Sequence, residues 1–299
     1  MTVFGFEGVV CEAGGAHNED AIHLAPGCIV VVDGASGLSC ESVMGWASDA
    51  QWFSHKLAIL IGQELKGEHA LPASAVRRAL AQLQVEFDQS LGSAHDATRT
   101  ARSPADLPSA SVAIAHLTPT HLEILSLGDC TTLIGHTDGA VESVHDVSVT
   151  RLDTAAISRM AQLAHVNGTS VRAARELVGE ELRAHRMLMN QDRDGYWIAD
   201  LTGAGVDHAT TLRRRIDEIR DVALMTDGFA AACDILRLVD GPRPFLGALR
   251  TDGADMLRAQ IVQSLDSDPD YERFPRLKHR DDMAVVHATV SDWVADANP

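Results

Sequence analysis

The 299 residues include 25 Lys and Arg against 42 Asp and Glu, a formal net charge of −17, and 45% of the chain is hydrophobic. That length holds one large domain or two small ones, and the apolar share suffices for a substantial core. The acidity argues against nucleic acid or an anionic membrane surface as main partner, and no run approaches the roughly 18 consecutive apolar residues of a membrane span.

In chain order, Val3 to Val10 and Ala21 to Leu24 read as strands around an Asn18-Glu19-Asp20 turn, followed by the continuous apolar run Cys28 to Val32. A strand without a polar side must be covered on both faces, here by a second sheet and by helices. From Val43 to Leu65, the residues Val43, Trp46, Ala50, Phe53, Leu57 and Ile61 recur at intervals of three and four, which predicts an amphipathic helix. Val76, Leu80, Leu83 and Phe87 repeat the pattern, so two helices form one outer layer, with Trp46, Trp52 and Phe53 in the core. After a polar stretch from Gly92 to Ser109, strands are expected at Ser111 to His116, His121 to Ser126 and Thr131 to Ile134. TPTH at 118–121 and TDGA at 137–140 supply the turns. Asp153 to Met189 reads as helical, broken around Asn167 and Gly168. Neither a linker nor an internal repeat is evident.

Four aspartates stand at the ends of strand-like runs: Asp33 closes CIVVVDG, Asp129 closes EILSLGDC, Asp227 closes VALMTDG, and Asp281 opens DDMAVVHATV. If the last strand runs antiparallel to its neighbours, its amino end shares an edge with the carboxyl ends of the others, and the four carboxylates converge. Bare, they would repel by roughly 4 kcal/mol per pair at about 4 Å and an effective dielectric near 20. A cation should sit there. Oxygen-only ligands without a Cys/His constellation point to a hard divalent ion such as Mg2+ or Mn2+ rather than zinc.

The motifs around these residues are NED at 18–20, VVDGASG at 31–37, LGDC at 127–130, MTDG at 225–228 and RDDMAVV at 280–286. In this order they resemble the successive motifs of the metal-dependent serine/threonine phosphatases of type 2C, in their bacterial branch. GYWIAD at 195–200 resembles a further segment of some bacterial members. The resemblance implies an α+β fold: a four-layer α-β-β-α sandwich of two mostly antiparallel sheets, with the metal site at one sheet edge. It also implies a single catalytic domain over 1–299 with a variable helical insert, or flap, at about 150–205.

For the site, the resemblance implies a binuclear centre bridged by Asp33, with the Gly34 carbonyl helping to hold one metal and Glu19 the second. Asp20 would orient metal-bound waters, Asp227 and Asp281 would hold the first metal, and Asp129 would join Asp227 at a third, weaker ion. The catalytic pair would be Asp20 and Asp33. The expected reaction is hydrolysis of phosphoserine and phosphothreonine in proteins by metal-bound hydroxide. Two cations about 3.5–4 Å apart suit such an in-line displacement.

The chain departs from the family pattern at two positions. Gly15 stands where an Arg, four residues before Glu19, would clamp the phosphate bidentately, and Ala35 stands where some members have a His. Arg99 and Arg102 are the candidate substitutes for the clamp, while His17 and His279 flank the motifs as possible proton donors. Arg280 is expected to orient Asp281. With Gly15 in the clamp position, a partner-binding pseudophosphatase and a phosphatase of small metabolites stay open as alternatives.

Competing signatures fail on single residues. Val31 and Ala35 break the Asp-x-Asp-Gly-Thr nucleophile pattern, and Leu38 breaks G-x-S-x-G. Cys11, Cys28, Cys40, Cys130 and Cys233 are dispersed and read as reduced. MTVFGFEGVV lacks the basic residues and long apolar run of a signal peptide. A cytoplasmic enzyme is the expectation.

Overall fold

The run Cys28 to Val32 has no polar side because both of its faces are buried. The structure, a computed structural model, describes residues 2–35, 37, 42–67, 70–93 and 106–292. Strands β1 (Thr2–Glu12), β2 (Ala21–Ala25) and β3 (Cys28–Ala35) come first. Along β3, Ile29 and Val31 face an inter-sheet core, while Val30 and Val32 face helices α1 (Asp49–Glu64) and α2 (Pro72–Ser93). Strands β4 (Ser109–Leu117), β5 (His121–Leu127), β6 (Thr131–His136) and β7 (Val141–Val144) follow.

A helical stretch comes next: α3 (Val147–Asn167), ended by Gly168 in the left-handed region, then α4 (Val171–Ala174), a 3-10 turn, and α5 (Gly179–Arg186). The chain then returns through β8 (Ala199–Asp200), β9 (Thr210–Arg215) and β10 (Ile219–Met225). It closes with α6 (Asp227–Asp234), α7 (Pro242–Thr251), α8 (Ala254–Asp266) and β11 (Met283–Asp292).

One sheet runs β1-β11-β10-β6-β7 and the other β2-β3-β4-β5-β9, with β8 added beside β4. The neighbours pair antiparallel throughout. Between the sheets lie Ile29, Val31, Ile124, Ile134, Val222, Leu224 and Val286. Helices α1 and α2 cover one outer face with Trp52, Phe53, Leu57 and Ile61, whereas α6, α7 and α8 cover the other with Phe229, Leu246 and Ile261. Each such fully buried side chain contributes roughly 1.5–3 kcal/mol. The result is the expected α-β-β-α sandwich. Among the described residues, no helix is long and apolar enough to cross a membrane, and Cys11, Cys28, Cys130 and Cys233 are free thiols.

The first helix differs from its expected span. It begins at Asp49 rather than Val43, because Ser48 caps it by accepting from the Gln51 N–H. The Asp49 carboxylate accepts from the N–H groups of Val43 and Met44 and from Ser42 Oγ, which folds residues 42–44 back as a turn. Trp46 lies between this turn and the Ser48 cap and is 39% exposed, so it is no core residue; Trp52 and Phe53 are fully buried as expected.

The helical outer face on the β10/β11 side holds a buried ion cluster. Arg250 grips Asp221 bidentately, with both contacts at 2.6 Å, and His287 Nε2 lies 3.1 Å from the same carboxylate. Burial alone would raise the Asp221 pKa, but Arg250 and His287 outweigh it and hold it at about 2. A carboxylate so depressed contributes stability above the unfolded carboxylate range that is lost as pH falls through about 2. Asp221→Asn should therefore lower unfolding free energy at pH 7 by about 3 kcal/mol, the low end for breaking a buried pair. Urea unfolding at pH 7 and pH 3 checks this, and the deficit should shrink at the lower pH.

Candidate metal centre

The two sheets contribute carboxylates to one shared edge. From one sheet, β3 carries Asp33 and its neighbour Gly34, and the connection after β5 carries Asp129. From the other, Asp227 follows β10 as the first residue of α6, and Asp281 precedes β11. Glu19 and Asp20 lie in the turn before β2. The antiparallel pairing of β11 with β10 is what brings the amino end of one to the carboxyl end of the other.

Hydrogen bonds between these segments fix their relative positions. Asp282 accepts from the Gly14 N–H at 2.7 Å and the Glu19 N–H at 2.6 Å, pinning the Glu19 turn to the start of β11. Thr226 Oγ1 donates to Asp20 Oδ2 at 2.8 Å and accepts from the Ala284 N–H at 2.9 Å, so it caps no helix. Ser111, paired with Asp33 across β3 and β4, donates to Asp129 Oδ1 at 2.5 Å. Glu19 Oε1 accepts from Ser48 Oγ at 2.5 Å and faces His17 Nε2 at 3.3 Å.

Two glycines permit this convergence. A Cβ on Gly34 would stand 2.4 Å from the Glu19 carbonyl oxygen, and one on Gly228 would stand 1.9 Å from that of Asp282. Both contacts are with backbone, which cannot swing aside. The DG pairs at 33–34 and 227–228 are thus required by close backbone approach as well as by their carboxylates.

The electrostatics follow from burial and crowding. Burial, then Asp20, Asp227 and Asp129, push the Asp33 carboxyl well above its usual range. Burial also raises Asp20, opposed by the Thr226 hydrogen bond and assisted by Asp227 and Asp281. Asp227 and Asp129 are raised in the same way, with Asp281 a contributor to both. Five of the expected residues, Asp20, Asp33, Asp129, Asp227 and Asp281, therefore lie within one another's fields. Even so, among the described residues no three His, Cys, Asp or Glu side chains form a ready-made ligand cluster. The donors fit a hard divalent cation by chemistry: they are oxygens only, gathered at one edge, and of one sign.

Several site residues have no motif of their own. Lys278 Nζ donates to Asp281 Oδ1 at 2.7 Å, the place expected of Arg280. Arg280 instead forks onto Asp266, which is also 3.2 Å from His279, so these two side chains point away from the carboxylates because α8 ends in an acid beside them. From α3, Asp153 comes near Asp129 and Asp281, and burial with those charges raises its pKa to about 6. Arg186, at the end of α5, donates to the carbonyls of Ala35 at 2.9 Å and Leu107 at 3.0 Å and to Ser109 Oγ at 3.2 Å. It latches the helical stretch onto the strand that carries Asp33. Gly15 has open space around its Cβ position, and Arg99 and Arg102 lie outside the described residues.

Both the family and the fold have known counterparts. The family model described as protein phosphatase 2C matches residues 7–266, and the chain belongs to that family of metal-dependent serine/threonine protein phosphatases. Among solved structures, the catalytic domain of the serine threonine protein phosphatase PstP, in complex with two manganese ions, is 16% identical, with a TM-score of 0.54 over 98% of this chain and 100% of that one. The Mycobacterium tuberculosis phosphatase PstP/Ppp is 15% identical, with a TM-score of 0.51 over 97% of each chain. PppA, a key regulatory component of the T6SS in Pseudomonas aeruginosa, is 15% identical, with a TM-score of 0.53 over 97% of each chain. At these identities the likeness is one of fold. No curated protein matches the chain.

A group whose carboxyl pKa is raised by folding binds more protons folded than unfolded, so stability falls as pH rises through that window. In chelator, the melting temperature should therefore drop between pH 4 and pH 7, the span from the ordinary carboxylate value of 3.8 through about 6 for Asp153. Saturating Mn2+ should remove most of that drop. Thermal scans in EDTA and in Mn2+ across this range decide it, and a metal-free melting temperature that climbs toward pH 7 would contradict the assignment.

Proposed function

We propose that this chain hydrolyses phosphoserine and phosphothreonine in proteins at a binuclear Mg2+ or Mn2+ centre, with room for a third ion. The observation that carries the reading is the arrival of five motif carboxylates, drawn from both sheets, at one edge of a protein phosphatase 2C chain. Asp33, the Gly34 carbonyl, Asp227, Asp281 and Glu19 would hold the two metals. Asp129 and Asp227 would hold the third ion, and Asp153 stands close enough to that pair's charge to take part.

When bound, such a metal pair supplies Lewis-acid stabilisation of phosphoryl oxygens and makes water acidic enough to react near neutral pH. The chain's own residues supply position. Asp20 has one carboxylate oxygen committed to Thr226, which leaves the other to hold and orient a water. Ser48 and His17 hold Glu19, while Asp282 keeps the Glu19 turn in register with Asp281. No side chain needs to act as a covalent nucleophile.

The chain is read as one catalytic domain over 1–299, supported by the pairing of its first described strand with its last. The helical insert at about 150–205 would be the flap beside the site, latched by Arg186. Phosphorylated proteins are the proposed partners, with no role assigned for nucleic acid or membrane. The free thiols suit a reducing compartment, so the cytoplasm is the proposed location.

The test is turnover of an aryl phosphate and of phosphothreonine peptides with and without Mn2+, beside an Asp227→Asn variant. The expected result is metal-dependent turnover of both substrates, reduced by at least about a hundredfold in the variant, the scale for losing a group that stabilises transition-state charge. Wild-type turnover no greater than the variant's would favour a binding role. Turnover of small phosphorylated metabolites but not of peptides would favour a metabolite phosphatase.

A further inference from the structure

The position at which family members clamp the phosphate is Gly15, and nothing packs where its side chain would be. A dianionic phosphoryl group brought to a cluster of carboxylates gains from any further positive charge within reach. Lys278 is a cation of this chain in hydrogen-bond contact with a motif carboxylate, through Asp281 Oδ1 at 2.7 Å. Its charge also acts on Asp227, Asp33 and Asp153.

The loop that carries Lys278 is braced. The Asp268 carboxylate accepts from the backbone N–H groups of Glu272, Arg273 and Phe274 and from Arg276 Nη1. The buried Arg276 guanidinium also donates to the carbonyls of Leu265, Asp268, Phe274 and His279. It lies over the Tyr271 ring, 4.0 Å from the centroid, and Tyr271 in turn packs into the small core of α3 and α4. Lys278 and Asp281 are thus presented from a fixed frame wedged between the helical stretch and β11. The Lys278 side chain remains 61% exposed, so a substrate can reach it.

We propose that Lys278 is the phosphate-binding cation of this chain, taking from the loop before β11 the role that Gly15 cannot perform. The inference rests on the phosphatase reading above. Asp281 Oδ1 takes one of the three ammonium N–H donors, and the other two are assigned to phosphoryl oxygens. A lysine binds phosphate as a point charge rather than as a fork. It would therefore hold the group with less orientational demand than an arginine, leaving the choice among phosphorylated sites to the surrounding insert.

The experiment is calorimetric titration of inorganic phosphate into Mn2+-loaded wild type, Lys278→Met, Lys278→Arg and a control Lys56→Met, which removes a lysine paired with Glu86 on the outer helices. Titration of Mn2+ into each metal-free protein, and aryl phosphate kinetics, complete the set. The expected result is phosphate affinity weakened roughly tenfold or more in Lys278→Met, the scale of a hydrogen bond to a charged group, with KM raised more than kcat is lowered. Lys278→Arg should recover most of the affinity, and Lys56→Met should match wild type. Unchanged phosphate affinity in Lys278→Met, with tighter Mn2+ binding, would overturn the proposal and make Lys278 only the countercharge of Asp281. Failure of the phosphatase reading shows separately, as wild-type protein without Mn2+-dependent turnover.

Discussion

Like charges gathered at one edge of the sandwich are the constraint on which this molecule turns. Asp20, Asp33, Asp129, Asp227 and Asp281 act on one another at the edge where the two sheets meet. At roughly 4 kcal/mol per close pair, their repulsion is comparable with the 5–15 kcal/mol by which a domain is stable. Such an arrangement persists only if packing elsewhere forces it and a cation relieves it. The forcing comes from the inter-sheet core, since Asp33 and Asp129 belong to one sheet and Asp227 and Asp281 to the other. Contacts among Val31, Ile124, Leu224 and Val286 therefore hold the site as well as the fold.

Around the carboxylates runs a set of neutral and cationic groups that divide the work. Thr226, Ser111 and Ser48 donate hydrogen bonds to Asp20, Asp129 and Glu19, stabilising the charged forms without cancelling the charge. Asp282 spends both its oxygens on backbone N–H groups of the Gly14 to Glu19 turn, so this acid is structural although it adjoins Asp281. Arg186 and Asp153 bring the helical stretch into the same electrostatic unit, one by latching onto the end of β3 and the other by adding a carboxylate near Asp129. A helical stretch tied in this way can influence the site without supplying the core of it.

Much of this was legible in the sequence, and the reasons are physical. The strands could be read because burial on one or both faces leaves a pattern, and the aspartates stood out because each interrupts an apolar run at its end. Order along the chain then specified the resemblance, with the antiparallel direction of β11 following from where Asp281 had to be. Lys278, Thr226, Asp153 and Arg186 were not legible, because their roles arise from contacts across long stretches of sequence and carry no local periodicity. Arg280 was the natural partner for Asp281 by adjacency; the loop braced by Arg276 turns it to Asp266 and puts Lys278, three residues before Asp281, in its place. The three-and-four spacing runs back through Val43 and Trp46 and so overstates the first helix, whereas the decisive groups are polar: the Ser48 cap and the Asp49 carboxylate that folds back residues 42–44.

The central claim is that the strand-end aspartates form one metal centre. It is tested most directly by diffraction from crystals soaked in Mn2+, with data collected at the manganese absorption edge. The account predicts two strong anomalous peaks bridged by Asp33, one also contacted by Asp227 and Asp281 and the other by Glu19. A fully soaked crystal whose anomalous peaks lie away from these carboxylates would contradict it.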